Sequence, residues 1–406
     1  MIRKLTRTGA VTRTVTFVAA LTIGGVTSAG ADGLKSLRGE PVPLPANLGD
    51  FVADQAAAIR LGKALVWDVQ AGGDGAQACA SCHFQAGADV RSKNQLNPGA
   101  NGVFNTAPAN SQLVAGNFLN NTGDVTGSQG VVKRNFIGLN LPSAVDNCAQ
   151  QPDPVFGDGI RRVTGRNTPS FVNAVFNFRS FWDGRANNIF NGVNPGGPNG
   201  SQVLKVVGGV PQLVTIALSN ASLASQAVGP PNNGVEMSCA GRSFPILGRK
   251  MLGLRPLGAQ LVSLSDSSLG GLSRNPSLGL NTTYKALVQA AIRPEWWNSS
   301  AVVGGFTVME NNFSLYWGLS VMLYESTLVS DDSRVDRFLD GSTAALNGQE
   351  QLGLNIFDGK GRCTQCHSGA ETTKATVATA EGDPLKGFIN TAVRPIADDG
   401  GDILQG

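Results

Sequence analysis

The chain has 406 residues, of which 32 are basic and 29 acidic, with two histidines and six cysteines. This near balance of charge, without a basic tract, argues against binding to nucleic acid or anionic lipid. Outside the N-terminal segment the most apolar stretch, residues 306–329, is interrupted by two glutamates and two asparagines, so we expect no membrane span.

Residues 1–31 have the pattern of a secretory signal peptide. Four basic residues precede an apolar run from Val15 to about Val26, and the small residues Ala29-Gly30-Ala31 resemble a cleavage site. The apolar run is too short to span a bilayer. We therefore expect a periplasmic or secreted protein whose mature chain starts at about residue 32.

A helix followed by a cysteine motif is predicted next. The segment LGKALV, residues 61–66, has apolar residues one turn apart and one glycine, Gly62, on the packing side. A glycine there would let the helix approach another backbone or a flat ligand closely. A turn, AGGDG, then leads to CASCH at residues 79–83.

Residues 191–281 differ in composition from their surroundings. They include NGVNPGGPNG, VGPPNNG and LSDSSLGGLSRNPSLGLN, which are rich in Gly, Asn, Pro and Ser. We interpret this segment as a long insertion with a few short strands, such as Leu204–Val207 and Leu213–Ala217. Persistent apolar residues and low charge argue against disorder.

The C-terminal part repeats the earlier arrangement. Apolar side chains recur at helical spacing from Phe306 to Leu328, which predicts a core helix. The segment LGLNIF, residues 352–357, then precedes a DGKG turn and CTQCH at residues 363–367. The same helix, turn and motif are thus used twice.

Both Cys-x-x-Cys-His motifs meet the demands of a covalently bound haem. Two thiols must reach two vinyl groups, and the next residue must offer an imidazole to the iron. Zinc held by the cysteine pairs is the alternative, but it leaves the identical placement of the histidines unexplained. We predict two haem c groups, with these attachment residues and iron ligands: Cys79, Cys82, Cys363, Cys366, His83 and His367.

The motifs leave two cysteines, Cys148 and Cys239. Outside the reducing cytosol such a pair is expected to oxidise, so we predict a disulfide between them. Two buried free thiols are the alternative.

The second face of each iron has no histidine to bind it, because the chain contains no third one. The possible methionine ligands are Met237, Met251, Met309 and Met322, each of which could equally fill a gap in the core. We predict that at least one iron keeps an open position, where catalysis would occur.

The stretch RNTPSFVNAVFNFRSFWDGRANNIF, residues 166–190, is similar to the bacterial dihaem cytochrome c peroxidase/MauG superfamily. That family carries Arg-Asn-x-Pro-[Ser/Thr], Asn-Ala-x-Phe-Asn and Phe-Trp-Asp-Gly-Arg between two haem motifs, here at 166–170, 173–177 and 181–185. The resemblance covers roughly residues 55–395. It implies a mainly α-helical fold of two cytochrome-c-like haem domains, joined by long Gly/Asn/Pro-rich loops with a few short strands.

The resemblance also implies boundaries and roles. The N-terminal haem domain would span 32–281, including the insertion 191–281. The C-terminal haem domain would span 282–406 and looks incomplete at its end. The first haem would be reactive and the second would relay electrons; we do not predict calcium.

The resemblance further implies a glutamate beside the first haem. Counting without a gap places Phe190 there, and placing the insertion first places Ala224 there; neither has a carboxyl. A carboxyl matters because cleaving a peroxide O–O bond requires moving a proton between its oxygens. The family's glutamine before the Phe-Trp pair is Ser180, and Glu236 could supply a carboxyl if the fold brings it close.

An apolar pocket is the other possibility at this site. Phe181, Trp182 and Phe190 could line it, or could be ordinary core aromatics. Trp182 could also lie between the haems as an electron relay.

Three functions therefore stay open. The first is an exported oxidoreductase that transfers electrons between two haems and reduces hydrogen peroxide with electrons from a small redox protein. The second is a dioxygen-activating enzyme, because the lost glutamate and the insertion resemble the rubber-cleaving dihaem oxygenases, which act on a polyisoprenoid. The third is a dihaem electron carrier without a substrate of its own.

Overall fold

The computed structural model describes residues 33–118, 123–380 and Gly387. The expected signal peptide, residues 1–31, lies outside this part of the chain. Among the residues described, no helix has the length and apolarity needed to cross a membrane.

Helices dominate the regular structure. In the described ranges they are α1 Gln55–Trp67, α2 Cys79–Cys82, α3 Ser222–Ala227, α4 Phe244–Gly253, α5 Tyr284–Ala291, α6 Val308–Asn311, α7 Phe313–Glu325, α8 Arg334–Leu339, α9 Gly348–Asp358 and α10 Val377–Ala380. The helices predicted before each cysteine motif are confirmed as α1 and α9.

The strands are short and pair only as two-stranded antiparallel sheets within the described residues. They are β1 Leu96–Asn97, β2 Val125–Thr126, β3 Gln129–Val132, β4 Arg134–Gly138, β5 Asn147–Gln150, β6 Arg161–Val163, β7 Val203–Val207, β8 Val210–Val214, β9 Val302–Val303 and β10 Phe306–Thr307. The pairs are β1–β2, β3–β6, β4–β5, β7–β8 and β9–β10. The mainly helical fold with small sheets is confirmed, whereas the division into two cytochrome-c-like domains stays a prediction.

Helix α7 forms the centre of the core, since every one of its residues is buried. Helix α1 packs against it at Gly62, where an added Cβ would lie 1.8 Å from the carbonyl oxygen of Ser320. The glycine therefore allows two helix backbones to touch. On α7 itself, a Cβ added at Gly318 would lie 2.6 Å from the ring of Phe190 and 3.0 Å from the Ala224 carbonyl oxygen.

The helix predicted through residues 306–328 is interrupted at Asn312, between α6 and α7. The Asn312 side chain accepts a hydrogen bond from the Leu204 amide at 2.9 Å and donates to the Leu204 carbonyl at 2.6 Å. It also donates to the Trp296 carbonyl at 2.7 Å. Asparagine can thus satisfy backbone groups of β7, which a helical periodicity does not reveal.

The insertion at 191–281 is more ordered than its composition indicates. Strand β7 agrees with the prediction, whereas β8 lies three residues before its predicted position. The sequence reading missed α4, which buries Leu247 and Met251 on one face. A Cβ added at Gly248 of α4 would lie 2.8 Å from the Cβ of Phe313, so this helix also packs tightly on α7.

A disulfide joins this insertion to β5, and a buried charge cluster joins it to the turn before the first cysteine motif. Cys148 on β5 is bonded to Cys239, with Cα atoms 6.4 Å apart. Asp146 lies 2.8 Å from Arg242 and 2.9 Å from Lys250, and all three side chains are buried. Lys250 also donates to the Gly72 carbonyl at 2.7 Å, which fixes that turn.

Candidate haem sites

The first cysteine motif forms one turn of helix, α2, against the edge of the core. Cys79 and Cys82 are free, part-buried thiols at helical spacing i and i+3, so they lie on one face. The His83 amide donates to the Cys79 carbonyl at 3.0 Å, which continues this turn to the histidine. Burial raises the pKa of both thiols, and Arg91 beside Cys82 partly opposes the rise there.

His83 is oriented by residues far along the chain. Its Nδ1 lies 2.8 Å from the Pro169 carbonyl oxygen, and its ring stacks on Phe171 with centroids 3.8 Å apart. A carbonyl only accepts, so Nδ1 carries the proton and the lone pair of Nε2 is left available to bind a metal ion. Burial lowers the pKa of His83 to about 4, which keeps the imidazole neutral at pH 7.

This arrangement gives a physical role to the Arg-Asn-x-Pro-Ser stretch, which the sequence reading treated only as a mark of resemblance. Pro169 is the proline of this stretch, and Phe171 is the first residue after the stretch ends at Ser170. The Phe171 amide donates to the Ala86 carbonyl at 2.9 Å, three residues after His83. The stretch is therefore the support against which the first histidine is held.

In the second motif the His367 amide likewise donates to the Cys363 carbonyl, at 2.9 Å, but the turn is a short 3₁₀ helix, Cys363–Gln365, and is far less covered. His367 Nδ1 lies 3.1 Å from the Thr372 carbonyl oxygen, only five residues away. Cys366 and His367 are exposed, and no residue of α9 is buried. The ring of Phe357, on α9, lies 6.1 Å from the His367 ring.

Both motifs fit covalent haem. Each offers two free thiols and an imidazole whose Nδ1 is hydrogen-bonded to a backbone carbonyl, so that Nε2 is left available for an iron. Zinc requires about four such ligands together, and the described residues contain no cluster of three Cys, His, Asp or Glu side chains suited to a metal ion.

The three aromatic residues proposed for the distal pocket lie in different environments. Phe190 is fully buried against α7, and its backbone pairs with Leu218. Trp182 is 49% exposed, with the Arg166 guanidinium 4.4 Å from its ring centre. Phe181 lies under Arg185 at 3.9 Å. Trp182 is thus exposed whereas Phe190 is fully buried, so the three residues do not share one environment.

The positions that the resemblance associates with the distal glutamate carry no acid group. Ala224 is fully buried in α3. Ser180 donates to Ser222 at 3.2 Å, and Ser222 donates to the Asn177 carbonyl at 2.8 Å. These hydroxyls are therefore tied to each other and to the backbone.

Two other carboxyls lie within electrostatic range of the first motif. Burial raises the pKa of Glu236 to about 7, against the lowering effect of Arg185. Burial raises the pKa of Glu325, on α7, to about 8. Glu236 acts on the pKa of both Cys79 and Cys82, whereas Glu325 is the largest electrostatic influence on Cys79 after its burial. Of this pair, the sequence reading had singled out only Glu236.

The four candidate methionine ligands all lie in the hydrophobic core: Met237, Met251, Met309 and Met322. Their exposure is between 0% and 7%. This is the environment expected of gap-filling side chains.

Residues 56–344 match the family model described as di-haem cytochrome c peroxidase. The match covers more than half of the chain, so the chain belongs to this family. The matched range includes the first cysteine motif and ends before the second.

Several curated proteins are similar over part of their length. The chain is 28% identical over 204 residues to cytochrome c551 peroxidase of Pseudomonas aeruginosa, which covers 50% of this chain and 36% of that protein. It is 23% identical over 203 residues to cytochrome c peroxidase Ccp of Escherichia coli, covering 50% and 26%. It is 44% identical over 50 residues to cytochrome c551 peroxidase of Nitrosomonas europaea, covering 12% and 15%. The chain thus spans about a third or less of the length of these relatives.

Proposed function

We propose that this protein is an exported dihaem c-type oxidoreductase that reduces hydrogen peroxide to water with electrons from a small redox protein. The observation that carries the proposal is the orientation of the His83 imidazole. Its Nδ1 is hydrogen-bonded to the Pro169 carbonyl, which leaves Nε2 available, and the free thiols of Cys79 and Cys82 precede it in the same motif. Family membership and the names of the similar proteins support the choice of peroxide. The balanced reaction consumes one H₂O₂, two protons and two electrons, and gives two H₂O.

The chain's own residues divide the work. Cys79 and Cys82 would hold the first haem and Cys363 and Cys366 the second, each oriented by the histidine that follows. Haem, when bound, supplies a redox-active iron that can bind a peroxide oxygen and exchange electrons. The part-buried first motif would meet less water than the second, and the exposed second motif would allow a redox partner to approach closely. We propose the boundaries 32–281 and 282–406 for the two haem domains.

The test is expression in a host that attaches haem c, followed by mass measurement and turnover. The mature protein should carry two haems and oxidise a reduced cytochrome c only when peroxide is added. The variant C363A/C366A should keep one haem and lose oxidation of the cytochrome. Cyanide or carbon monoxide should bind at least one haem. Two six-coordinate haems that bind neither would contradict the proposal and favour an electron carrier.

A second candidate is a dioxygen-activating oxygenase that acts on an alkene such as a polyisoprenoid. The observation that favours it is Ala224, which provides no carboxyl for proton transfer at a position that the resemblance associates with the distal glutamate. Product formation from polyisoprenoid and dioxygen, without peroxide, would select this function instead.

A further inference from the structure

Residues 33–38, which we call the N-terminal strap, lie against the loop that follows His367. The Gly369 amide donates to the Gly33 carbonyl at 3.3 Å, and the Lys35 amide donates to the Gly369 carbonyl at 3.2 Å. These two bonds form a parallel β-bridge. Because Gly369 is only two residues after His367, the strap fastens the middle of the loop that carries the carbonyl partner of this histidine.

The other end of the strap is anchored in the core and on α8. The Leu37 side chain is 4% exposed and belongs to the hydrophobic core. Its amide donates to the Asp336 carboxylate of α8 at 2.9 Å. Arg38 forms ion pairs with Asp332, shortly before α8, and with Asp340, directly after it. The strap therefore joins the loop of the second motif to a well-packed part of the molecule.

Thr372, whose carbonyl oxygen lies 3.1 Å from Nδ1 of His367, has an uncommon backbone conformation. Its φ is +56°, in the left-handed region that a β-branched residue rarely adopts. Such a conformation costs free energy and persists only where neighbouring contacts impose it. Contacts of this kind lie on both sides: the strap binds Gly369, and the Phe178 amide donates to the Ala375 carbonyl at 2.9 Å. Two fastenings outside the motif thus set the direction of the Thr372 carbonyl.

We propose that the strap is a positioning element for the second haem, because it keeps the Thr372 carbonyl on Nδ1 of His367. The inference rests on the proposed dihaem function. A hydrogen bond donated by Nδ1 makes the imidazole a stronger electron donor through Nε2. Stronger donation stabilises ferric over ferrous iron, so the strap lowers the reduction potential of the second haem. The second site thus obtains from a distant segment the support that α9, with no buried residue, does not give.

The experiment uses the haem-loaded protein and follows both haems in a spectroscopic redox titration. Lys35→Pro removes the hydrogen bond to the Gly369 carbonyl, because proline has no N–H, and the Lys35 side chain is exposed. Lys35→Ala is the matched control, since it keeps that N–H. We expect Lys35→Pro to raise the potential of the second haem and to leave that of the first unchanged, whereas Lys35→Ala should shift neither. The variant C363A/C366A, which keeps only the first haem, assigns the two potentials.

A second pair of variants covers the case in which Lys35→Pro does not fold. Leu37→Ala weakens the core anchor of the strap. Leu48→Ala is its control, because both side chains are 4% exposed in the same core and Leu48 belongs to a separate turn, Leu48–Asp50. Both changes should lower the denaturant midpoint to a similar extent, since each removes a buried leucine. Only Leu37→Ala should raise the potential of the second haem, and an equal shift in both variants would overturn the positioning role.

Hydrogen exchange gives a readout that does not depend on the iron. The Gly369 amide is bonded to the Gly33 carbonyl, so exchange in residues 368–376 should accelerate in Lys35→Pro and not in Lys35→Ala. If Lys35→Pro carries two haems with the potentials of the unmodified protein, the role of the strap is overturned while the proposed function stands. If the unmodified protein, matured in a host that attaches haem c, carries no second haem, both are overturned.

Discussion

The two haem-attachment units share a sequence pattern but differ in what surrounds them. In the first, most of α1 is buried against α7, and His83 is held by Pro169, 86 residues away. In the second, α9 buries none of its residues, and His367 is held by Thr372, within the same loop. The comparison teaches that local sequence builds the turn and the imidazole geometry, whereas tertiary packing decides how rigidly the site is formed in advance.

Gly62 in α1 and Gly353 in α9 lie at matching positions before the two motifs, and their substitution by alanine gives the largest expected difference in stability. Gly62→Ala would place a methyl group 1.8 Å from the Ser320 carbonyl, whereas the same change at Gly353 meets nothing within 4 Å. Overpacking a helix contact costs about 3 kcal/mol or more when the clash is with backbone. Gly353→Ala should instead stabilise α9 by about 0.5–1 kcal/mol, since alanine favours helix. Urea unfolding of both variants measures the difference, and equal effects would contradict the contrast in packing.

The aromatic residues beside the two histidines give the next contrast. Phe171 is 4% exposed and stacks on His83, so Phe171→Ala should cost about 3–5 kcal/mol and reduce loading of the first haem. Phe357 is only partly buried and lies 6.1 Å from His367, so Phe357→Ala should cost about 1 kcal/mol or less. The checks are denaturant midpoints and haem content per chain. Equal loss of both haems in either variant would show that the two units are not supported separately.

The third contrast concerns pH. Burial raises the pKa of Glu325 in the folded chain from its usual value of 4.5 to about 8. The folded state is therefore more stable when this carboxyl is protonated than when it is charged. Its contribution to stability is complete below about pH 4.5 and is lost as pH rises to about 8, after which it changes no further. Glu325→Gln should remove this part of the pH dependence of the free energy of unfolding.

The matched control is Glu350→Gln in the second unit, where Glu350 forms an exposed pair with Arg334. That pair is screened by solvent, so its loss should leave the pH dependence between 4.5 and 8 as it was. Unfolding curves at several pH values decide the matter. A flat profile in the unmodified protein would count against a buried, neutral Glu325.

Part of the fold and of the sites could be predicted from the sequence, because particular residues indicated them. Apolar spacing was enough to predict α1 and α9, because each has one clear stripe. Helix α4 escaped notice since its apolar stripe lies within Gly- and Pro-rich sequence. The break at Asn312 depends on hydrogen bonds to β7 and Trp296, which a helical periodicity cannot show. The support of His83 by Pro169 likewise joins distant parts of the chain.

The raised pKa values were beyond sequence reasoning for the same reason. Neither Glu236 nor Glu325 has a neighbour in sequence that would shift its titration; burial does so in each case. Such effects appear only once the surrounding elements are in place.

The bond between Cys148 and Cys239 also bears on how the chain matures. The sulfur of Cys239 would lie 3.3 Å from a Cβ built on Gly73, six residues before Cys79. Under the proposed export, six thiols enter a compartment where thiols oxidise, and four must stay reduced until porphyrin reaches them. Once Cys239 is bonded to its partner on β5, its sulfur can no longer pair with the free thiols of the first attachment motif, which remain available to porphyrin.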